Sequence, residues 1–390
     1  MKSYYADLHI HIGRTATGKP VKITGSKNLT FTNIIHHAKN QKGLDIIGII
    51  DCHSPEVINE IEALLQEGEL QEHEDGGLLF DDMMIILGSE LEIYDQYCHG
   101  PIHVLSFFPT LSHMKDFSNW LSVLMKNIQL SSQRVYIEGR MLQQKVKELE
   151  GLFIPAHVFT PFKSLYGKGV KHSLKEVFDP HSIDAIELGL SANTEMADRI
   201  AELHDYPFIT NSDAHSLAKI AREYQKISLQ ELSFKELTMA LQQMDGRAVE
   251  ANYGLDPLLG KYHETVCVQC GVAQPQGTVL CSNCASKKII KGVKNRIQEL
   301  ANVTSMAQGR KRPPYIHQIP LEFIPGIGVK TLEKLLLHYG TEMAIIHDVP
   351  LASLQQVIPE QAALLIEQAR SGSLQIDVGG GGRYGRIRID

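Results

Sequence analysis

Asp7-Leu8-His9-Ile10-His11 sets two imidazoles two residues apart. On a strand that spacing points both to one face, whereas a helix would send them to different sides. The same chemistry recurs along the chain. The run from Leu44 to Ile50 ends in Asp51-Cys52-His53, and Met83 to Leu87 leads to Glu90, with His103 beyond it. Leu152-Phe153-Ile154-Pro155 leads to His157, and Pro207-Phe208-Ile209-Thr210 leads to Asp213-Ala214-His215. Each polar group follows a run that reads as a buried strand. Helical stretches such as Pro55 to Gln66 and Thr194 to His204 lie between the runs. The alternation predicts an α/β fold with a parallel sheet. In a barrel of that kind, active sites gather at the C-terminal strand ends.

The ligand types narrow the chemistry. Imidazole mixed with carboxylate, without paired thiolates, suits Zn, Mn or Fe better than Ca. Any one of these histidines alone reads as an ordinary core or surface residue. Their recurrence at strand ends is what predicts a multi-metal hydrolase.

The 390 residues, 43% hydrophobic and 21% charged, leave room for more than one domain. No apolar run is long enough to span a bilayer, and the N-terminus lacks an apolar signal region. The expectation is a cytoplasmic, nucleoid-associated protein with no membrane partner. Net charge is -7, and the acids crowd Glu56 to Asp82, while Leu44 to Met114 holds no Lys or Arg. Other segments are basic. Gly13 to Thr32 carries Arg14, Lys19, Lys22 and Lys27 with no acid. Lys163, Lys168 and Lys171 follow His157, with no acid before Glu176. Ordinary surface charge would explain either loop alone. Their shared place beside the metal residues favours a polyanionic substrate.

Cys267-Val268-Gln269-Cys270 and Cys281-Ser282-Asn283-Cys284 form two knuckles separated by ten residues. Four thiolates from two tight turns suit a closed, structural zinc site. Cys52 reads as a small buried residue, and Cys98 is left without a role. Lys287, Lys288, Lys291, Lys294 and Arg296 follow, then Arg310-Lys311-Arg312. Next comes Ile324-Pro325-Gly326-Ile327-Gly328-Val329-Lys330-Thr331, opening a helix through Leu332, Leu335 and Leu336. A helix start of this type presents backbone N–H groups to phosphate. It resembles a helix-hairpin-helix, with Gly326, Gly328 and Lys330 as DNA contacts. Ile358-Pro359-Glu360-Gln361-Ala362 reads as a second copy without the glycines, kept for packing. Gly379 to Gly382 with Arg383, Arg386 and Arg388 reads as a flexible basic tail. Nucleic-acid contact and plain disorder both stay open for it.

The strand-end motifs resemble those of the PHP (polymerase and histidinol phosphatase) superfamily over roughly residues 1 to 250. The resemblance implies a distorted seven-stranded β/α barrel and up to three metals. It implies that His9, His11, Glu90 and Asp213 hold one ion, and that Glu90 bridges to a second held by His103 and His157. His53 and His215 would serve a third. Asp7 and Asp51 would bind a metal directly or hold a residue that does. Many members carry a further ligand soon after the His-x-His pair. Here that region reads Ala16-Thr17-Gly18, so the third site would be built differently.

The order of the whole chain resembles the endonuclease Q family. That implies an enzyme that nicks DNA 5′ to deaminated bases (uracil, hypoxanthine, xanthine) and abasic sites, leaving 3′-hydroxyl and 5′-phosphate. Two or three catalytic ions (Zn, Mn or Mg) and one structural Zn would serve it. The expected division is a catalytic domain over 1–255, a zinc module with basic linker over 256–312, a hairpin region over 313–375 and a tail over 376–390. Phe31, Phe159, Phe162 and Tyr166 are expected to line a pocket for an extruded base. Rival readings are a small-molecule phosphatase, an exonuclease and a non-enzymatic DNA-binding protein.

Overall fold

The runs that end in ligand residues form strands because both of their faces are buried. Met84 and Ile86 of the strand Met83–Ile93 enter one apolar cluster with Ala6, Leu8 and Ile46. Met83, Ile85 and Leu87 enter a second cluster with Ile47 and Ile49. A strand covered on both sides reads as a continuous apolar run rather than an alternating one. The computed structural model describes residues 1–303, 311–380 and 382–387. Arg310 and Arg388 lie outside the described residues.

The sheet is mixed rather than parallel. Lys2–Ile10 pairs in parallel with Ile46–Ile49, which pairs in parallel with Met83–Ile93. Met83–Ile93 then pairs antiparallel with Ile102–Phe108, and that strand antiparallel with Leu152–Pro155. The physical reason is the connection. Only a short loop joins Ile93 to Ile102, and a parallel return needs a crossover of a dozen or more residues. On its other side Lys2–Ile10 pairs antiparallel with Tyr224–Leu229. Two short parallel strands, Ile186–Glu187 and Phe208–Ile209, stand between the ends. A bridge from Ile10 to Ala214 ties the segment after them back to the first strand.

Helices cover the outside. Pro55–Glu67 forms as expected, with Pro55 at its first turn and Gly68 at its end in the left-handed conformation (φ 79°). The expected helix from Thr194 to His204 is broken into a turn at Thr194–Ala197 and a 3-10 turn at Ala201–Leu203. Downstream, Val266–Cys267 and Ile289–Ile290 pair antiparallel across the cysteine cluster. Tyr315–His317 joins the main sheet beside Ala248–Gly254. The helices Val329–Tyr339, Glu342–His347, Leu351–Val357 and Glu360–Arg370 form the C-terminal region. The segment expected as a flexible tail pairs Ile376–Asp377 with Arg386–Ile387 in a small hairpin. Tyr384 of that hairpin receives a hydrogen bond from the Arg222 guanidinium at 2.7 Å, which gives the segment a fixed seat.

Candidate active site

His9 and His11 leave the first strand with ring centres 5.3 Å apart, on one face as their spacing requires. Their Nε2 atoms are buried and make no hydrogen bond among the described residues. Both face the same carboxylates. His9 Nε2 lies 3.7 Å from Glu90 Oε1 and 3.5 Å from Asp213 Oδ1, and His11 Nε2 lies 3.5 Å from both Glu90 Oε2 and Asp213 Oδ1. These separations are long for hydrogen bonds. They match two donors on one ion, since ligands about 2.1 Å from a tetrahedral zinc stand roughly 3.4 Å apart. His103 Nδ1 lies 2.8 Å and His157 Nε2 3.3 Å from Glu90 Oε1, giving a second group around the same carboxylate. His11, Asp213 and His215 form a third. The buried, unpaired imidazole nitrogens and the facing carboxylates fit divalent ions.

The backbone is bent to make this cluster. His157 and Asp213 have φ of 31° and 47°, uncommon for residues with side chains. Gly189 packs against His157, and a Cβ there would stand 2.9 Å from the histidine's own Cβ.

Electrostatics suit a cation-binding site. Burial raises the Glu90 carboxyl, but His103 and Lys22 outweigh it and hold Glu90 well below the usual range. Asp213 is likewise held low against burial, by His9 and His11. Burial lowers His9, yet Glu187 and Asp213 raise it to about 10. Burial and the neighbouring His11 bring His215 down to about 4.

Three residues expected among the ligands stand outside these groups. Asp7 accepts from the backbone N–H of Ser212 at 3.0 Å and of Ala221 at 2.9 Å, so it ties loops together. Asp51 accepts from His11 Nδ1 at 3.0 Å and from the Ile12 N–H at 2.8 Å, which aims the His11 ring. His53 is buried, with Nε2 3.4 Å from the Leu130 carbonyl. Sequence reasoning missed Glu187. It holds His9 Nδ1 at 3.0 Å and accepts from the His157 N–H at 2.8 Å. Its only signal was an acid in the short apolar run Ala185-Ile186-Glu187-Leu188.

The basic loops divide. Lys22 is drawn into the cluster, 3.1 Å from Glu90 Oε2, rather than lying on the rim. Lys19 pairs with Glu56, and Lys163 pairs with Glu92 at 2.9 Å. Lys27 is exposed and Arg14 half-buried. Lys168, Lys171 and Phe162 line a groove of about 580 Å³ against Ile289 and Ile290. Phe162 is exposed, but Phe31, Phe159 and Tyr166 are buried in the core, and the Tyr166 hydroxyl donates to Glu202 at 2.8 Å. Phe159 also lines that groove, while Phe31 and Tyr166 pack inside the core. Arg312, expected in a basic cluster, instead pairs with Asp198 at 2.9 Å and lies 3.5 Å from the Phe208 ring centre.

A different set of side chains walls the cavity beside the cluster. It measures about 410 Å³ and is lined by His157, Asp213 and His215 together with Arg222, Lys261, Tyr262 and Tyr384. Arg222 donates to the Ser212 carbonyl at 2.6 Å and to the Asp213 carbonyl at 3.2 Å. The Lys261 ammonium lies 4.5 Å from the Tyr384 ring centre. No local motif marked these residues, because they converge from distant segments.

The four cysteines meet as expected. Cys267 and Cys284 sulfurs are 3.6 Å apart and those of Cys270 and Cys281 3.5 Å. Thiolates on a tetrahedral zinc stand roughly 3.8 Å apart at Zn–S of about 2.3 Å. The Val272 backbone N–H and the Asn283 side chain lower the Cys270 thiol to about 6, which favours the thiolate.

Fold and site together define a PHP-type, metal-dependent phosphoesterase. A family described as PHP-associated matches residues 192–244. The protein YqxK of Bacillus subtilis (strain 168) is 55% identical over 388 residues, covering 100% of both chains. The crystal structure of the lesion-specific endonuclease PfuEndoQ from Pyrococcus furiosus matches with a TM-score of 0.85 at 32% identity, covering 100% of this chain and 96% of that one. An endonuclease Q complex with a 27-mer duplex carrying an abasic lesion at the active site matches with TM-score 0.85 and 32% identity, over 100% of this chain and 97% of that one. The chain belongs to the endonuclease Q family within the PHP superfamily. It is a DNA-cleaving hydrolase of DNA repair that uses divalent metals. Among the described residues no helix is long and apolar enough to cross a membrane.

Proposed function

We propose that this enzyme hydrolyses the phosphodiester 5′ to deaminated bases and abasic sites, leaving 3′-hydroxyl and 5′-phosphate ends. The observation that carries the reading is the cavity next to the carboxylate–imidazole cluster. Its volume of about 410 Å³ falls within the usual range for sites that take one small molecule. Its cationic and tyrosine walls suit a single nucleotide drawn out of the duplex. An enzyme that tests one base must take it out of the stack, and a damaged or missing base makes that easier.

His9, His11, Glu90 and Asp213 would hold one ion, Glu90, His103 and His157 a second, and His215 would add to a third with His11 and Asp213. Zn, Mn or Mg bound there would activate water and stabilise the leaving oxygen. Glu187 and Asp51 hold the His9 and His11 rings in the orientation that binding needs. Lys22 places a fixed positive charge beside Glu90, where negative charge grows on the phosphoryl group. Arg222 holds the Asp213 loop by its carbonyls.

DNA outside the site would be held by Arg14, Lys27, Lys168 and Lys171, and by the hairpin amides near Gly326, Gly328 and Lys330. We keep the four-part division at 255, 312 and 375, with the four cysteines binding structural Zn.

Duplexes with one uracil, hypoxanthine, xanthine or abasic site, beside an undamaged control and with Mg, Mn or Zn supplied, test the reading. Internal cutting 5′ to each lesion is expected. Equal cutting of the control would sink the lesion preference, and stepwise release from an end would make the enzyme an exonuclease.

A further inference from the structure

Beside the catalytic cluster stands a surface patch that hydrolysis itself does not use. Tyr94, Tyr97 and Tyr136 are 40%, 45% and 50% exposed. The Arg134 guanidinium sits between two of them, 4.8 Å from the Tyr94 ring centre and 5.1 Å from that of Tyr136. Lys126 approaches the Tyr136 ring at 5.8 Å, and Arg140 approaches that of Tyr97 at 6.0 Å. The nearby acids Asp95 and Glu138 are half-buried and engaged by hydrogen bonds. Asp95 accepts from the N–H groups of Tyr97 and Gly139, each at 2.8 Å, and Glu138 accepts from Gln96 at 2.9 Å. Among the described residues Lys126, Arg134 and Arg140 form no ion pair with a carboxylate.

The patch is joined to the site by two strands. The strand carrying Glu90 runs on through Ile93 into Tyr94, and Glu92 stands opposite Arg134 on the short strand Arg134–Val135. Ser132, just before that strand, donates to Glu90. Four residues of extended chain span roughly 13 Å. A phosphodiester held at Glu90 is therefore a few nucleotides away, at about 3.4 Å per stacked step along one strand.

We propose that this patch is a nucleobase-stacking site for DNA opened a few nucleotides from the scissile bond. Exposed rings interleaved with cations are the surface that binds unstacked nucleic acid, rings for bases and cations for phosphates. An acidic peptide would use the cations but not the exposed aromatic surface of three tyrosines. Bases unstacked a few nucleotides from the cut, where the duplex opens around the lesion, would find these rings as stacking partners. The proposal rests on the chain being a DNA endonuclease and not on which lesion it prefers.

The test uses full-length protein with Tyr94→Ala and Tyr136→Ala combined, and a matching Tyr→Phe pair. Each is checked for an unchanged melting temperature. The probe is an abasic duplex with a non-cleavable linkage at the scissile position and 2-aminopurine at successive places on either side. Wild type and the Phe pair should change the emission at one of those places and bind alike. The Ala pair should lose that change and bind on the order of tenfold more weakly. An Ala pair that melts normally yet keeps both signals overturns the proposal. So does a Phe pair as defective as the Ala pair, which would assign the effect to the hydroxyls. An undamaged duplex is run alongside. Equal wild-type binding to both would count against lesion preference alone, because stacking is read as the difference between variants.

Discussion

At the scale of single residues, the histidines of the site matter less than what holds them. Glu187 receives His9 Nδ1 and also fixes the His157 backbone, so one carboxylate orients two members of the cluster. Outer partners of this kind typically change metal affinity by about 10- to 100-fold. Glu187→Gln keeps the shape but removes the charge that raises His9. The variant should release its ions to a chelator at correspondingly lower concentration, with DNA binding little altered. Chelator competition followed by metal analysis checks this, and unchanged affinity would reduce Glu187 to a packing role. The sequence made the histidines legible because a two-residue spacing has a direct meaning on a strand. It could not mark Glu187, an isolated acid in an apolar run. Nor could it bring Arg222, Lys261 and Tyr384 together, since no local pattern records a meeting of three separate segments.

At the scale of elements, the strands were legible and their pairing was not. Burial on both faces writes itself as an apolar run whichever way the neighbour points. The antiparallel return at Ile102–Phe108 was decided by a short loop, a signal that hydrophobic period does not carry. The helix Glu342–His347 shows a further tertiary effect. His347 stacks on Tyr5 at 4.7 Å, and its Nε2 accepts from the Tyr224 hydroxyl at 2.7 Å. Burial, with Lys226 and Arg370 nearby, lowers the His347 pKa from 6.5 to about 4. Between those values the unfolded chain binds a proton that the folded imidazole refuses. This contribution to stability is therefore full above about pH 6.5 and is lost as pH falls toward 4. A loss of about 1–3 kcal/mol is expected over that window. His37, also lowered to about 4 by burial, acts in the same direction. Thermal melts across pH 4–7 should show His347→Gln with a shallower acid slope than wild type. Parallel slopes would place the sensitivity elsewhere.

For the whole molecule, net charge is a poor guide to its partner. A chain of net charge -7 is a DNA-cleaving enzyme, so its overall sign does not report its partner. Association with a duplex answers to the local field. The buried pair Lys42–Glu342 at 2.9 Å ties the C-terminal helices to the part of the fold that carries the site. Gly326, with φ 87°, makes the turn before the helix Val329–Tyr339, and alanine there would strain the backbone by about 1 kcal/mol or more. Gly328 gives the cleaner test. It starts the helix Val329–Tyr339 with ordinary φ of -85°, and a Cβ there would meet nothing within 4 Å. Gly328→Ala should leave the melting temperature unchanged while crowding a phosphate seated on the helix amides. Affinity should fall several-fold on damaged and undamaged duplexes alike, with the slope of log affinity against log salt nearly unchanged, since no cation is removed. Turnover of saturated enzyme should stay close to wild type, because the carboxylate–imidazole cluster is untouched. Filter binding across a salt series, paired with single-turnover cleavage, separates the two effects. A collapse of turnover on bound substrate would mean that the hairpin also shapes the DNA at the cut, and that binding and chemistry are one unit in this protein.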